Sequence, residues 1–153
     1  MKVELRTIGK CKDKAILSLC AEYTKRLKPF WQTEVTELAD KSGDMGAEKA
    51  LIEKHLAKQK PGAYGLVALD ERGEKHSSRS FATLLKKFEA QGLQTLILLI
   101  GGADGIHPDI RQKADACLSL SDLTLPHMLV RPVILEQIYR AATILAGHPY
   151  HRD

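Results

Sequence analysis

The sequence carries neither a G-x-G-x-x-G fingerprint nor a P-loop, so a dinucleotide or phosphate cradle built on glycine amides is disfavoured. Cysteine is scarce: Cys11, Cys20 and Cys117 are odd in number and share no C-x-x-C spacing. That argues against a disulfide framework and a thiolate zinc site, and leaves them as structural thiols. Long apolar runs are missing as well. The longest strongly apolar stretch is Leu96 to Ile100, against about 20 residues for a bilayer-crossing helix, and the chain begins on a charged, strand-like segment where a secretory signal would be apolar. A cytoplasmic protein with no membrane association is expected. Repeats, low-complexity tracts and linkers are absent, so one domain over residues 1–153 is the expectation.

What is present suits a core. Hydrophobic residues make up 44% and charged residues 27% of the 153, ordinary for a globular chain and too apolar for wholesale disorder. A chain of this length buries about 70% of its unfolded surface on folding. The net charge of +4 favours approach to a polyanion, but it carries no sequence information and equally describes a solvated surface.

Val3 and Leu5 alternate with Lys2, Glu4 and Arg6 up to Gly9, the period of a strand. Ile16, Cys20, Tyr23 and Leu27 then recur at helical spacing, predicting an amphipathic helix from about Asp13 to Lys28, before Pro29. A weaker strand follows around Glu34 to Leu38, then a break at Lys41-Ser42-Gly43-Asp44 and a helix from about Ala47 to Gln59 that Pro61-Gly62 ends. Gly65 to Asp70 is nearly continuously apolar, as in a strand covered on both faces, with Asp70 its polar end. Ser77 or Ser78 caps a helix striped by Phe81, Leu84, Leu85 and Phe88 and stopped at Gly92. Leu96 to Ile100 is another buried strand, Pro108 opens a short helix to about Lys113, and Cys117 to Leu120 is a further strand. The last helix, from His127 or Met128, is apolar on almost every side from Val130 to Leu145, so it is buried or paired. In so short a chain pairing is attractive, and a homodimer about a twofold axis is the commonest solution.

Strands alternating with helices predict a parallel, three-layer α/β sheet with ligands outside the carboxyl ends of the strands. Three segments fall there: Leu69 to Gly73, Gly101 to Gly105, and Ser121 to Pro126. Gly101 and Gly102, lacking a Cβ, allow another backbone or a flat ligand to come close. The tail, Pro149-Tyr150-His151-Arg152, combines an aromatic platform with cations, the chemistry that seizes an unstacked RNA base. His148-x-x-His151 lacks a third ligand, so no metal is expected.

Several runs together resemble one family: Leu98-Leu99-Ile100-Gly101-Gly102-Ala103-Asp104-Gly105; Leu118-Ser119-Leu120-Ser121 with Leu123-Thr124-Leu125-Pro126-His127; Glu136-Gln137-Ile138-Tyr139-Arg140-Ala141; and His148-Pro149-Tyr150-His151-Arg152. With the Leu5 to Gly9 opening and Leu69-Asp70 to Gly73, the likeness spans essentially the whole chain. It is to the ribosomal RNA large subunit methyltransferase H family, pseudouridine N3-methyltransferases of the SPOUT class. The resemblance implies an α/β fold with a C-terminal trefoil knot, which periodicity alone would not suggest. It further implies a homodimer acting on large-subunit (23S) ribosomal RNA within assembled ribosomes, and S-adenosyl-L-methionine as cofactor. Carried across by motif, Leu69, Gly101, Gly102, Leu120, Ser121, Asp122, Leu123, Thr124 and Leu125 surround the cofactor.

N3 of pseudouridine is a weakly acidic imide N–H, so attack calls for a base or a stabiliser of the anion. His127, His148 and His151 are candidates, with Arg140 and Arg152 as cations for the base or a phosphate and Tyr150 as a stacking surface. Each has a plainer reading. His127 also suits the start of a helix, Tyr139 a core or dimer contact, and Arg140 an i, i+4 pair with Glu136. Two other functions are compatible with the sequence: a non-catalytic RNA- or ribosome-binding knot protein, and a SPOUT enzyme acting on transfer RNA or a ribose.

Overall fold

The computed structural model describes residues 1–152. Its elements run β1 (Lys2–Ile8), α1 (Lys14–Leu27), β2 (Gln32–Leu38), α2 (Met45–Leu56), β3 (Tyr64–Lys75), α3 (Ser78–Ala90), β4 (Thr95–Ile100), α4 (Pro108–Lys113), β5 (Ala116–Ser119) and α5 (His127–Leu145). The strands form one parallel sheet in the order β2-β1-β4-β3-β5. This is the expected α/β architecture, with boundaries within a few residues except at β3.

Three of the predicted helix starts are explained by their caps. The Asp13 carboxylate accepts from the Ala15 and Ile16 amides at 2.8 and 3.1 Å, Asp44 from Ala47 at 2.9 Å, and the Ser77 hydroxyl from Ser80 at 3.1 Å. Such a side chain supplies one of the acceptors that a helix start lacks, worth about 1 kcal/mol. Gly92, at φ +73°, closes α3 in the left-handed region where a Cβ is strained.

Pleating sends alternate residues to opposite faces, and both faces are covered. Val3, Leu5, Val67, Leu69, Leu96 and Leu98 pack with residues of α1, α3 and α5. Ile8, Leu66, Ala68, Ile97 and Leu99 pack with Ile52 and Leu56 of α2 and Ile110 of α4. β1 therefore departs from the usual meaning of alternation, a strand half exposed to water. It lies inside the sheet, and its polar residues Glu4 and Arg6 are buried as an ion pair at 2.8 Å.

β3 also departs from expectation. The chain does not turn off after Asp70 but continues as a strand to Lys75, with a break in register against β5 between Leu69 and Glu74. Gly73 makes the close approach possible, because a Cβ there would lie 2.4 Å from the Leu118 carbonyl carbon. Glu71 and Glu74 are exposed on this extended backbone.

α5 packs against both α1 and α3, burying Ile134, Leu135, Ile138, Ala141 and Ala142. Leu129 and Val133 remain exposed on its other side. Arg131, only 1% exposed, is the charge amid this apolar helix. Its guanidinium meets Glu37 at 2.6 Å and donates to the carbonyls of Ile8 and Gly9 at 3.2 and 2.8 Å. An isolated buried cation would cost several kcal/mol; these partners offset that and tie α5 to the carboxyl ends of β1 and β2.

Candidate active site

β4, β3 and β5 are neighbours, so the segments leaving their carboxyl ends converge. Between them lies a cleft of about 580 Å³ lined by Leu69, Gly101, Gly102, Leu120, Ser121, Leu123, Thr124, Leu125 and His127, within the size range of small-molecule sites. Eight of the nine residues expected around a cofactor are thus together, and His127 joins them at the first turn of α5. The ninth, Asp122, is not among the lining residues: its exposed carboxylate pairs with Lys75 of the β3 extension. Sequence placed Asp122 in the right loop, but the side chain's direction depends on that unforeseen partner.

Each wall has a local cause. The Gly101–Gly105 turn folds on itself: Gly105 donates to the Gly102 carbonyl at 3.1 Å, and the two residues form an isolated bridge. A Cβ on Gly101 would stand 2.5 Å from the Gly105 carbonyl oxygen, so glycine is dictated by the turn's own backbone. Across the cleft, the Ser121 hydroxyl accepts from the Leu123 amide at 2.9 Å while Ser119 donates to the Ser121 carbonyl at 3.1 Å. These side-chain bonds to nearby backbone set the loop's curvature. They also hold Leu123 with 76% of its surface exposed over the cavity mouth.

The charge of the cleft opposes that of the molecule. Its charged lining residues are Asp70, Glu71, Asp104 and Arg72, three acids against one base in a chain of net +4. Asp70 is the best placed of them, its side chain 3% exposed. It accepts from the Arg72 amide at 3.0 Å, and Arg72 and Arg111 guanidinium nitrogens stand 3.7 and 3.6 Å away. With Asp70 held by two arginines, Glu71 and Asp104 leave the cleft a small surplus of negative charge.

Behind the glycine turn stands Glu48 of α2, buried at 5% exposure. Burial is the main cause raising its pKa above the ordinary carboxylate value; Asp40, Asp104 and Asp44 add to it, and the Gly102 backbone opposes it. Sequence reasoning missed Glu48, and a lone glutamate on a helix carries no signal that would have found it. Arg131 was missed too, although a charge inside an apolar helix is such a signal.

The tail residues assemble elsewhere. Tyr150 stacks edge-on against Tyr139 with ring centroids 4.7 Å apart, and donates its hydroxyl to Glu136 at 3.0 Å. Arg140 lies over the Tyr150 ring, pairs with Glu136 as the i, i+4 reading expected, and approaches His151 Nδ1 at 3.2 Å. Burial, followed by hydrogen bonds to Tyr23 and Glu136, raises the Tyr150 pKa and keeps the phenol protonated. Arg152 and His148 are exposed beside them. None of Arg140, Tyr150, His151 and Arg152 lines the cleft; Arg140 is thirteen residues beyond His127, about 20 Å along α5 at 1.5 Å per residue. Among the described residues no cluster of three potential metal ligands occurs, and no helix is long and apolar enough to cross a membrane.

Fold and cleft together define a class. The family model described as "Predicted SPOUT methyltransferase" matches residues 1–151, and the chain is a SPOUT methyltransferase. The fold is shared with the solved structure of a candidate RNA methyltransferase from Bacillus anthracis, at 15% identity and a TM-score of 0.55 over 97% of this chain and 96% of that one. Finer kinship comes from sequence. Proteins called ribosomal RNA large subunit methyltransferase H are 43% identical in Ruegeria pomeroyi, over 99% of both chains, and 43% identical in Koribacter versatilis, over 99% of this chain and 98% of that one. The Streptococcus uberis protein of that name is 38% identical over 99% of this chain and 100% of its own. The chain therefore belongs to the ribosomal RNA large subunit methyltransferase H family.

Proposed function

We propose that this protein transfers the methyl group of S-adenosylmethionine to N3 of a pseudouridine in large-subunit ribosomal RNA, acting as a homodimer on the assembled ribosome in the cytoplasm. The observation that carries the reading is the cleft itself: a pocket of about 580 Å³, walled by the Gly101–Gly105 and Leu120–Leu125 backbones. The leucine side chains and peptide groups of these walls would hold an adenosyl group, and the acids Glu71 and Asp104 would complement its cationic end. Bound there, the cofactor supplies an electrophilic methyl group to a nucleophile held in line with its sulfur.

This chain's residues then have separate tasks. Of the candidate bases His127, His148 and His151, only His127 lines the cleft, which supports it as the acceptor of the imide proton of the target base. Tyr150 offers a ring for stacking, and Arg140 and Arg152 offer cations for the phosphate backbone, with His151 beside them. About 20 Å along one helix divides the two groups, so one chain cannot bring its own tail to its own cleft without rearrangement. A second copy can. The exposed Leu129 and Val133, one helical turn apart on α5, offer apolar surface that pairing would cover. Threading of the carboxyl-terminal segment into the trefoil knot of the class would fix α5 between the two groups.

Mass spectrometry of ribosomal RNA from cells lacking the protein tests the proposal. One methyl group is expected to disappear from a large-subunit pseudouridine and return with the wild-type gene; unchanged methylation would refute it.

A further inference from the structure

Most glycines in close turns are explained by backbone conformation, but Gly102 is not. Its φ does not fall in the left-handed region, so an alanine there meets no backbone strain. What excludes a side chain is one neighbour. The three heavy atoms nearest a Cβ on Gly102 all belong to Glu48: Oε1 at 2.7 Å, Oε2 at 3.2 Å and Cδ at 3.3 Å. The carboxylate thus lies close against the bare α-carbon of a residue that lines the cleft.

Glu48 reaches this place from the first turn of α2, where Asp44 caps the helix at 2.9 Å from the Ala47 amide and the Glu48 amide bonds back to the Asp44 carbonyl at 2.9 Å. The helix start is therefore fixed, and a buried side chain on it has little freedom. Its acidic neighbours, Asp40, Asp44 and Asp104, repel it. A buried carboxylate among like charges costs stability, so nothing in the packing of α2 explains why an acid stands here. Contact with the Gly102 backbone does.

We infer that Glu48 is a positioning residue that holds the Gly101–Gly105 turn in its donor-binding shape by seating its carboxylate on Gly102. This rests on the reading that the donor lies against that turn. Glu48 does not line the cleft and touches no reacting atom; it acts through Gly102.

The test is a double-mutant cycle on the full-length protein, read by calorimetric titration with S-adenosylmethionine and by amide hydrogen exchange of the apo protein. Glu48→Ala is expected to weaken donor binding about tenfold and to speed exchange across residues 101–105, with β4 amides unchanged. Glu48→Gln, which keeps the shape and an acceptor oxygen, is expected to stay within about threefold of wild type. Gly102→Ala alone displaces the carboxylate and is expected to cost several-fold. In the Glu48→Ala background, however, the same change is expected to cost nothing further, because the clashing atoms are gone. Glu48→Asp, shorter by one methylene, serves the same cycle should the alanine variant fail to fold.

Additive losses from the two substitutions, or a folded Glu48→Ala protein with wild-type affinity and wild-type exchange at residues 101–105, would overturn the inference. Failure of the underlying reading looks different: wild-type protein would not bind the donor, while the exchange arm would still report whether Glu48 holds the turn.

Discussion

The two ends of α5 present opposite chemistry. At its amino end the helix opens onto a cleft of glycine, leucine and peptide groups whose charged rim is mainly acidic; at its carboxyl end Tyr139, Arg140, Tyr150 and His151 form an aromatic cluster carrying cations. An acidic rim favours a small cationic ligand, whereas an aromatic surface with cations favours a polyanion. His127 at the cleft and Arg140 beneath the tail lie about 20 Å apart along one helix. On the proposed reading, a second copy would bring a tail to this cleft.

The strongest way to break this contrast is to unfasten the cleft end. Arg131→Ala removes the guanidinium that joins α5 to Glu37, Ile8 and Gly9, leaving acceptors behind without their donor. Urea unfolding is expected to show a loss of about 3 kcal/mol; a loss below about 1 kcal/mol would show that these bonds do not anchor the helix. Next in size, Gly101→Val drives side-chain atoms into the Gly105 carbonyl. Donor affinity by calorimetry is expected to fall at least about 100-fold, or nearly 3 kcal/mol, while binding to ribosomal RNA by the tail changes little.

At the other end the pattern should invert. Arg152→Ala is expected to lower methylation of ribosomes about tenfold with a flatter salt dependence, yet to leave S-adenosylmethionine affinity untouched. Equal losses in both assays would erase the distinction between the ends. The mildest effect concerns Cys20 on α1. Its thiol pKa rises from 9.0 to about 11, chiefly through burial. A folded pKa above the unfolded one contributes stability that is complete below pH 9 and is lost as pH climbs towards 11. Denaturation at a series of pH values should show about 1 kcal/mol lost by pH 10, and Cys20→Ala should remove that share.

The sequence disclosed the fold better than it disclosed the site. Helices announced themselves through caps and stripes, as at Asp13, Ser77 and Pro108, because those signals are local. The continuation of β3 to Lys75 was not legible, since it depends on β5 lying close enough for Gly73 to pass over Leu118. The same limit governs the site. The loops after β4 and β5 were readable from their glycines and position, but the buried partners behind them, Glu48 and Arg131, act over distances of 54 and 94 residues in sequence. The tail was singled out by its aromatic and cationic residues; only the folded chain reveals that it packs on Glu136, Tyr139 and Arg140 of α5 and lines no part of the cleft.

The central claim is that the donor binds the peptide-walled cleft and nowhere near the tail. Amide hydrogen exchange at saturating S-adenosylmethionine addresses it directly. Slowed exchange at Gly101, Gly102 and Leu120 to Leu125, with His148 to Arg152 unaffected, is the predicted result. Unchanged exchange in those two loops, or protection confined to the tail, would contradict the account.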